Sequence, residues 1–301
     1  TISINFDEEP EYDWDNMLDN YGYDGNQTTY TPYNAVQSEA VARLMADIGT
    51  AFHTMYGQPN GSPTYFRYEP LIYNFGYSDD IKEHTGKTAA ELISVMKADL
   101  EKNRPILYCG YPKTAGEDGH ALVCDGYTSN DYFHFNYGWG GKADGFFKYA
   151  LVAGYENNAI IFTGVEPVDA TLKIIGNIEY LLIKNGEAHV MRYVAGGVGA
   201  KNGEITIPAT VVGDDGAEYK VTRICKNSFF NKGNFSKMVL GENIEAIDYY
   251  SFIYSTIDEL VLSDKMEVVP DKAFETTKIK KLTIGKNVKR IGKRALNSLF
   301  A

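Results

Sequence analysis

Long apolar runs are missing from this sequence. No window reaches the roughly 18 consecutive apolar residues that a membrane-crossing helix needs, so no membrane-spanning segment is expected. Cysteine is scarce too. The three thiols, Cys109, Cys124 and Cys225, are odd in number, follow no framework spacing and include no C-x-x-C pair. That excludes a disulfide scaffold and a thiolate zinc site, and leaves the redox compartment unread. The five histidines form no cluster with Asp or Glu, so neither a metal nor a cofactor is expected. Positive charge is short in the first half: residues 1–169 carry 10 basic against 25 acidic side chains. A nucleic-acid partner, which needs a basic face, is thereby excluded. Residues 170–301 carry 19 against 15, spread along a repeat, which reads as a solvated face. The opening Thr1 to Asp7 has neither a basic n-region nor an apolar h-region, so no signal peptide is visible, and the pattern starts as though inside a domain.

What remains is the composition of a soluble globular protein, 44% hydrophobic and 23% charged, and at 301 residues it predicts two domains. Helical signals come first. Trp14, Met17, Leu18 and Tyr21 fall on one helical face. A longer helix is expected from about Tyr33 to His53, with Val36, Ala40, Val41, Leu44, Met45 and Ile48 inward. After the Gly/Pro/Asn stretch from Gly57 to Pro63, Thr88-Ala89-Ala90-Glu91 forms a capping box that opens a third helix. Its buried stripe is Leu92, Ile93, Met96 and Leu100. Strand patterns follow at Pro105–Tyr111, Gly119–Tyr127, Asp131–Tyr137, Gly145–Tyr149 and Ala159–Val165. Short turns between them predict an antiparallel meander, and helices before such a sheet make the first domain α+β.

From about Thr171 a repeat takes over. The segment ending at Phe229 recurs with ends at Phe252, Phe274 and Leu296, while Leu240, Leu262 and Ile284 close matching strands. A period in the low twenties with one short strand per unit is the pattern of a leucine-rich-repeat solenoid. With Ile205 to Val211 and Tyr219 to Thr222 as its opening unit, the repeat resembles the BspA-like class of bacterial surface antigens. That resemblance implies adhesion or protein binding, and the alternative of a ligand-free spacer stays open.

The chemistry lies in the strands. His120 follows Gly119, whose bare backbone allows close approach of a substrate, at the start of an apolar strand. Asn136 ends the next strand, and Trp139 follows in a run of glycines. If these strands pair as a hairpin, His120 and Asn136 lie near the same end. The amide could then fix the imidazole tautomer, with Trp139 roofing the contact against water.

Gly119-His120-Ala121-Leu122-Val123, Phe133 to Gly141 and Asp144-Gly145-Phe146-Phe147 closely resemble the streptopain family of papain-like cysteine peptidases. So do Tyr12 to Met17, Leu44 to Gly49, Met55-Tyr56-Gly57, Asn74 to Tyr77, Arg104 to Tyr108 and Phe162 to Val165. The resemblance covers Thr1 to about Pro167. It implies a papain-like domain over residues 1–168, lacking its N-terminal part, before a BspA-like repeat domain over 169–301. It also implies His120 as catalytic base and Asn136 as its orienting partner. Gly61, Ser62 and Gly119 would line the cleft, with Tyr137 and Trp139 as wall or oxyanion support. Where the family has Trp after the Asn, this chain has Tyr137.

The family's nucleophilic Cys precedes the Tyr-Asp-Trp segment, here Tyr12-Asp13-Trp14, and none of the first eleven residues is Cys. Cys124, four residues from His120 on one strand, lies roughly 13 Å away and cannot be its partner. Cys225 reads as a core thiol of the repeat. Cys109 is the remaining contender, on a strand expected to neighbour that of His120, but it lacks the helix N-terminus that lowers a thiol pKa. Three origins stay open: an upstream segment cleaved, disordered or deleted; a fragment; or a degenerate, non-catalytic product. Elsewhere, His134 reads as a core or supporting histidine, and His53, His84 and His189 as structural or exposed. Glu117 and Asp118 read as solvated, and Trp14 as helix packing. The expected function is a secreted or cell-surface cysteine endopeptidase of protein or peptide substrates, its Cys outside this chain. The alternative is an adhesin acting through the repeats.

Overall fold

In the computed structural model, which describes residues 11–23, 28–57, 62, 64, 67–112, 119–148, 155 and 157–296, the chain divides into two units, Thr1–Pro167 and Val168–Ala301. Among the described residues the first unit opens with a single 3-10 turn, Trp14–Asn16, rather than the helix its periodicity predicts. Trp14 is exposed, so there is no buried stripe to hold a helix. The Tyr21 hydroxyl instead accepts from Leu18 N and donates to the carbonyl of Gln37, pulling the segment toward the next element. A two-stranded ladder follows, β1 (Gly22–Tyr23) with β2 (Tyr30–Thr31).

The long helix α1 (Ala35–Ala51) opens on a capping box between Asn34 and Gln37. Its buried positions are Ala40, Asp47 and Gly49, whereas Val36 and Met45 face outward, contrary to the expected stripe. The reason is polar, from partners outside the helix: Tyr12 donates to Asp47 Oδ2 at 2.9 Å, and Tyr56 donates to the Met45 carbonyl at 2.8 Å. Helix α2 (Glu69–Phe75) has Pro70 in its first turn and Gly76 left-handed at its end. Strand β3 (Lys82–His84) precedes α3 (Ala89–Leu100), which the Thr88–Glu91 box caps as expected.

Strands β4 (Ile106–Tyr111), β5 (His120–Tyr127), β6 (Tyr132–Asn136) and β7 (Gly145–Lys148) form the antiparallel meander. The fifth strand, β8 (Asn157–Thr163), does not extend it but returns beside β4, giving the order β3-β8-β4-β5-β6-β7. Burial alternates along β4, β5 and β6. One face packs Ile106, Tyr108, Leu122, Cys124, Phe133 and Phe135 against Leu92 and Met96 of α3. Asp99, buried near the end of α3, ties helix to sheet: it receives Gly164 N at 2.6 Å and pairs with Arg104, which also holds Glu166 at 2.8 Å.

The second unit opens antiparallel, with β9 (Ala170–Ile175), β10 (Ile178–Ile183) and β11 (Glu187–Tyr193). Then come β12 (Lys201–Ile207), β13 (Thr210–Val212) and β14 (Glu218–Ile224), the last joining β11 in parallel. Beyond it, β15 (Asn234–Leu240), β16 (Ala246–Ile247), β17 (Thr256–Val261), β18 (Val268–Val269), β19 (Lys278–Thr283) and β20 (Arg290–Ile291) stack in parallel ladders. Asn234 pairs Thr256, which pairs Lys278, a step of one repeat. Inside, Phe229, Phe252 and Phe274 stack with centroids 5.3 and 5.6 Å apart. Cys225 is a core thiol, its Sγ 3.5 Å from Met191 Sδ. Outside, Lys237 and Lys281 flank Glu259, so surface charge is matched between repeats. Leu240 and Leu262 are buried, but Ile284 is exposed, where no further described strand covers β19.

Breaking the Asp99 connection is expected to leave the Gly164 amide without its acceptor and Arg104 with Glu166 alone. Asp99→Ala should therefore cost the first unit about 2 kcal/mol, read as a lower urea midpoint. An unchanged midpoint would show that this contact does not hold helix to sheet.

Candidate functional site

The site grows from one strand register. In the β4–β5 pair His120 faces Gly110, Ala121 faces Cys109 and Leu122 faces Tyr108. Partners across an antiparallel pair project to the same face, and successive residues alternate. His120 thus shares the inner face with Leu122 and Cys124, while Cys109 projects to the other face. The thiol that was the remaining nucleophile candidate points away from the imidazole. Burial also pushes the Cys109 thiol up to about 12, and the same cause lifts Cys124 to about 12. Neither supplies a thiolate near neutral pH.

The same parity governs β6. Asn136 faces Val123 and Phe135 faces Cys124, so Phe133, Phe135 and the following Tyr137 are fully buried while His134 and Asn136 face outward. Asn136 does lie near the same end of the sheet as His120. Among the described residues, however, its Oδ1 accepts from Gly138 N at 2.8 Å rather than from the ring. The imidazole meets the neighbouring backbone instead: His120 Nε2 lies 3.0 Å from the carbonyl oxygen of Tyr137. A carbonyl oxygen only accepts, so Nε2 carries the proton and donates. In the neutral ring Nδ1 is then the basic nitrogen.

Aromatic rings enclose this imidazole. Trp139 lies 4.7 Å away, Tyr155 5.5 Å and Tyr137 6.0 Å, centroid to centroid. Trp139 is 43% exposed and forms the outer cover. Tyr137 is buried, its hydroxyl lacks a partner among the described residues, and burial raises that hydroxyl to about 12. Gly110 is required here: a Cβ would lie 1.8 Å from the carbonyl oxygen of Tyr155. Gly119 is exposed, and the space its Cβ would take is filled by the Tyr111 ring at 2.8 Å and the Gly110 carbonyl oxygen at 2.9 Å.

Ser62 is exposed and its carbonyl accepts from Thr64. Gly61, Glu117 and Asp118 lie outside the described residues. His134 is not a core residue: it faces outward and pairs through Nδ1 with Asp125 Oδ1 at 2.6 Å. His84 bonds Thr163 Oγ1 at 2.8 Å, and burial lowers its pKa. Sequence reasoning missed Tyr155, whose role no local motif signals, and Asp144, which stood inside a quoted motif without a role.

Residues 1–147 match the Peptidase C10 family, and residues 217–299 match the BspA type leucine rich repeat region in six copies. Streptopain of Streptococcus pyogenes serotype M28 is 34% identical over 141 residues, covering 46% of this chain and 33% of streptopain. The thiol protease/hemagglutinin PrtT of Porphyromonas gingivalis is 28% identical over 143 residues, covering 43% of this chain and 16% of that protein. Among solved structures, active wild-type interpain A cysteine protease of Prevotella intermedia shares 31% identity at a TM-score of 0.46, covering 51% of this chain and 64% of the other. The chain thus spans at most a third of the length of these two curated relatives. The resemblance read from the motifs holds in both regions: residues 1–147 are similar to the Peptidase C10 (streptopain) family and residues 217–299 to BspA type repeats.

The raised thiols give a direct check. At pH 8, iodoacetamide should leave Cys109 and Cys124 of the folded chain unmodified for hours and alkylate both promptly in denaturant. Rapid modification of folded Cys109, mapped by mass, would show that its thiol is neither buried nor raised.

Proposed function

We propose that residues 1–168 are the base-bearing part of a papain-like cysteine endopeptidase acting on protein substrates, and that residues 169–301 are a leucine-rich-repeat solenoid that binds protein. The observation that carries the first half is the His120 arrangement: a tautomer set by the Tyr137 carbonyl, Nδ1 left as base, and Trp139 as cover. The family resemblance supports it.

In this reading Nδ1 takes the proton of a cysteine thiol, and the resulting thiolate attacks the scissile carbonyl. The imidazolium then protonates the departing amine, leaving an acyl-thioester. His120 next removes a proton from water, whose oxygen displaces the thiol and regenerates it. Asn136, the family's orienting residue, acts through the turn: by holding Gly138 N it steadies the Tyr137 carbonyl that the ring donates to. Gly119, Tyr137, Trp139 and the Gly61-Ser62 segment supply the cleft. The thiol comes from outside these 301 residues, since Cys109 faces away, Cys124 is buried and Cys225 belongs to the repeat core. The same resemblance supports a location outside the cell or on its surface.

A second reading, an adhesin working through the repeats alone, is favoured by the raised thiols of half-buried Cys109 and buried Cys124 in the first unit. A peptidyl acyloxymethyl ketone applied to the protein from its native source separates the two. A label on a cysteine outside the 301 residues is the expected result. A label on Cys109 contradicts the assignment of the nucleophile, and no label at all leaves the adhesin reading.

A further inference from the structure

The carbonyl that receives the His120 proton belongs to a residue whose two backbone polar groups are both held by side chains. Tyr137 O accepts from His120 Nε2 at 3.0 Å, and Tyr137 N donates to Asp144 Oδ1 at 2.8 Å. One residue on, Gly138 N donates to Asn136 Oδ1 at 2.8 Å. These bonds hold a segment in which Gly138, Gly140 and Gly141 all adopt positive φ just past the end of β6, so its glycine backbone supplies little restraint of its own. Asp144 reaches back from the residue before β7, so it joins the two ends of the loop that carries Trp139.

We propose that Asp144 is a positioning residue for His120: by accepting the Tyr137 amide proton it fixes the Tyr137 carbonyl where the ring Nε2–H can donate, and so keeps Nδ1 aimed as the base. This rests on His120 being the base, as argued above. The Asp144 carboxylate acts entirely through the backbone. The Asn136 bond to Gly138 N holds the Tyr137–Gly138 peptide plane, which carries the Tyr137 carbonyl, but leaves the preceding Asn136–Tyr137 plane free to rotate. Asp144 fixes that preceding plane through Tyr137 N, and with both planes held the carbonyl keeps one direction. What the position requires is an oxygen acceptor at Oδ1, which Asn can also provide and Ala cannot.

Proton NMR of the 301-residue chain tests this through the ring N–H itself, which is visible only when protected from exchange with water. The unmutated chain should show a protected His120 proton on Nε2. Asp144→Asn should keep it. Asp144→Ala should lose it, with exchange about tenfold faster or more while the sheet amides stay protected, in line with the loss of a bond of this kind. A protected proton that survives in Asp144→Ala overturns the proposal and leaves the role of His120 standing. Its loss in Asp144→Asn overturns the acceptor role. A proton on Nδ1 in the unmutated chain overturns the tautomer beneath both. If the alanine variant does not fold, amide exchange in the unmutated chain decides: Tyr137 N–H should exchange about tenfold more slowly than an open amide, and an unprotected Tyr137 amide refutes the clamp.

Discussion

One hydrogen bond, from His120 Nε2 to the carbonyl of Tyr137, sets what this site can do, because it decides which imidazole nitrogen is a base. The rest of the first unit serves to make that bond possible. The meander puts His120 at the start of β5 and Tyr137 just beyond β6, and the parity of the strands turns both inward. Gly110 leaves room for the Tyr155 backbone, which brings a third ring to the imidazole. Below the site, Tyr108, Phe133 and Phe135 fill the space between sheet and α3, so the strand ends have a rigid base.

The repeat unit is held by a different device. Its ladders place chemically equal residues one above another, and each copy covers the apolar face of the one before it. The phenylalanine stack from Phe229 to Phe274 is the clearest product of that rule, and the matched charges around Glu259 are its counterpart on the surface.

Much of this was legible in the sequence where the determinants are local. The Thr88–Glu91 box, the strands of the meander and the repeat period each depend on residues close together in the chain, and each appears as expected. The misses share one cause, partners distant in sequence. A hydroxyl on Tyr12 and another on Tyr56 decide which face of α1 is covered, so an apolar stripe containing Val36 and Met45 misleads. The return of β8 to β4 has no signature in its own residues. The site was half legible. Pattern singled out His120, Tyr137 and Trp139, which lie together, but strand parity sends the Asn136 side chain outward and gives the carbonyl of Tyr137 to the ring.

Hydrolysis of a denatured protein substrate by the full product of the gene, compared with its His120→Gln variant, tests the account most directly. The account predicts a thiol-reagent-sensitive activity that falls by about a thousandfold in the variant, the scale of a lost general base. Comparable rates in the two proteins, or an activity indifferent to thiol reagents, would contradict it.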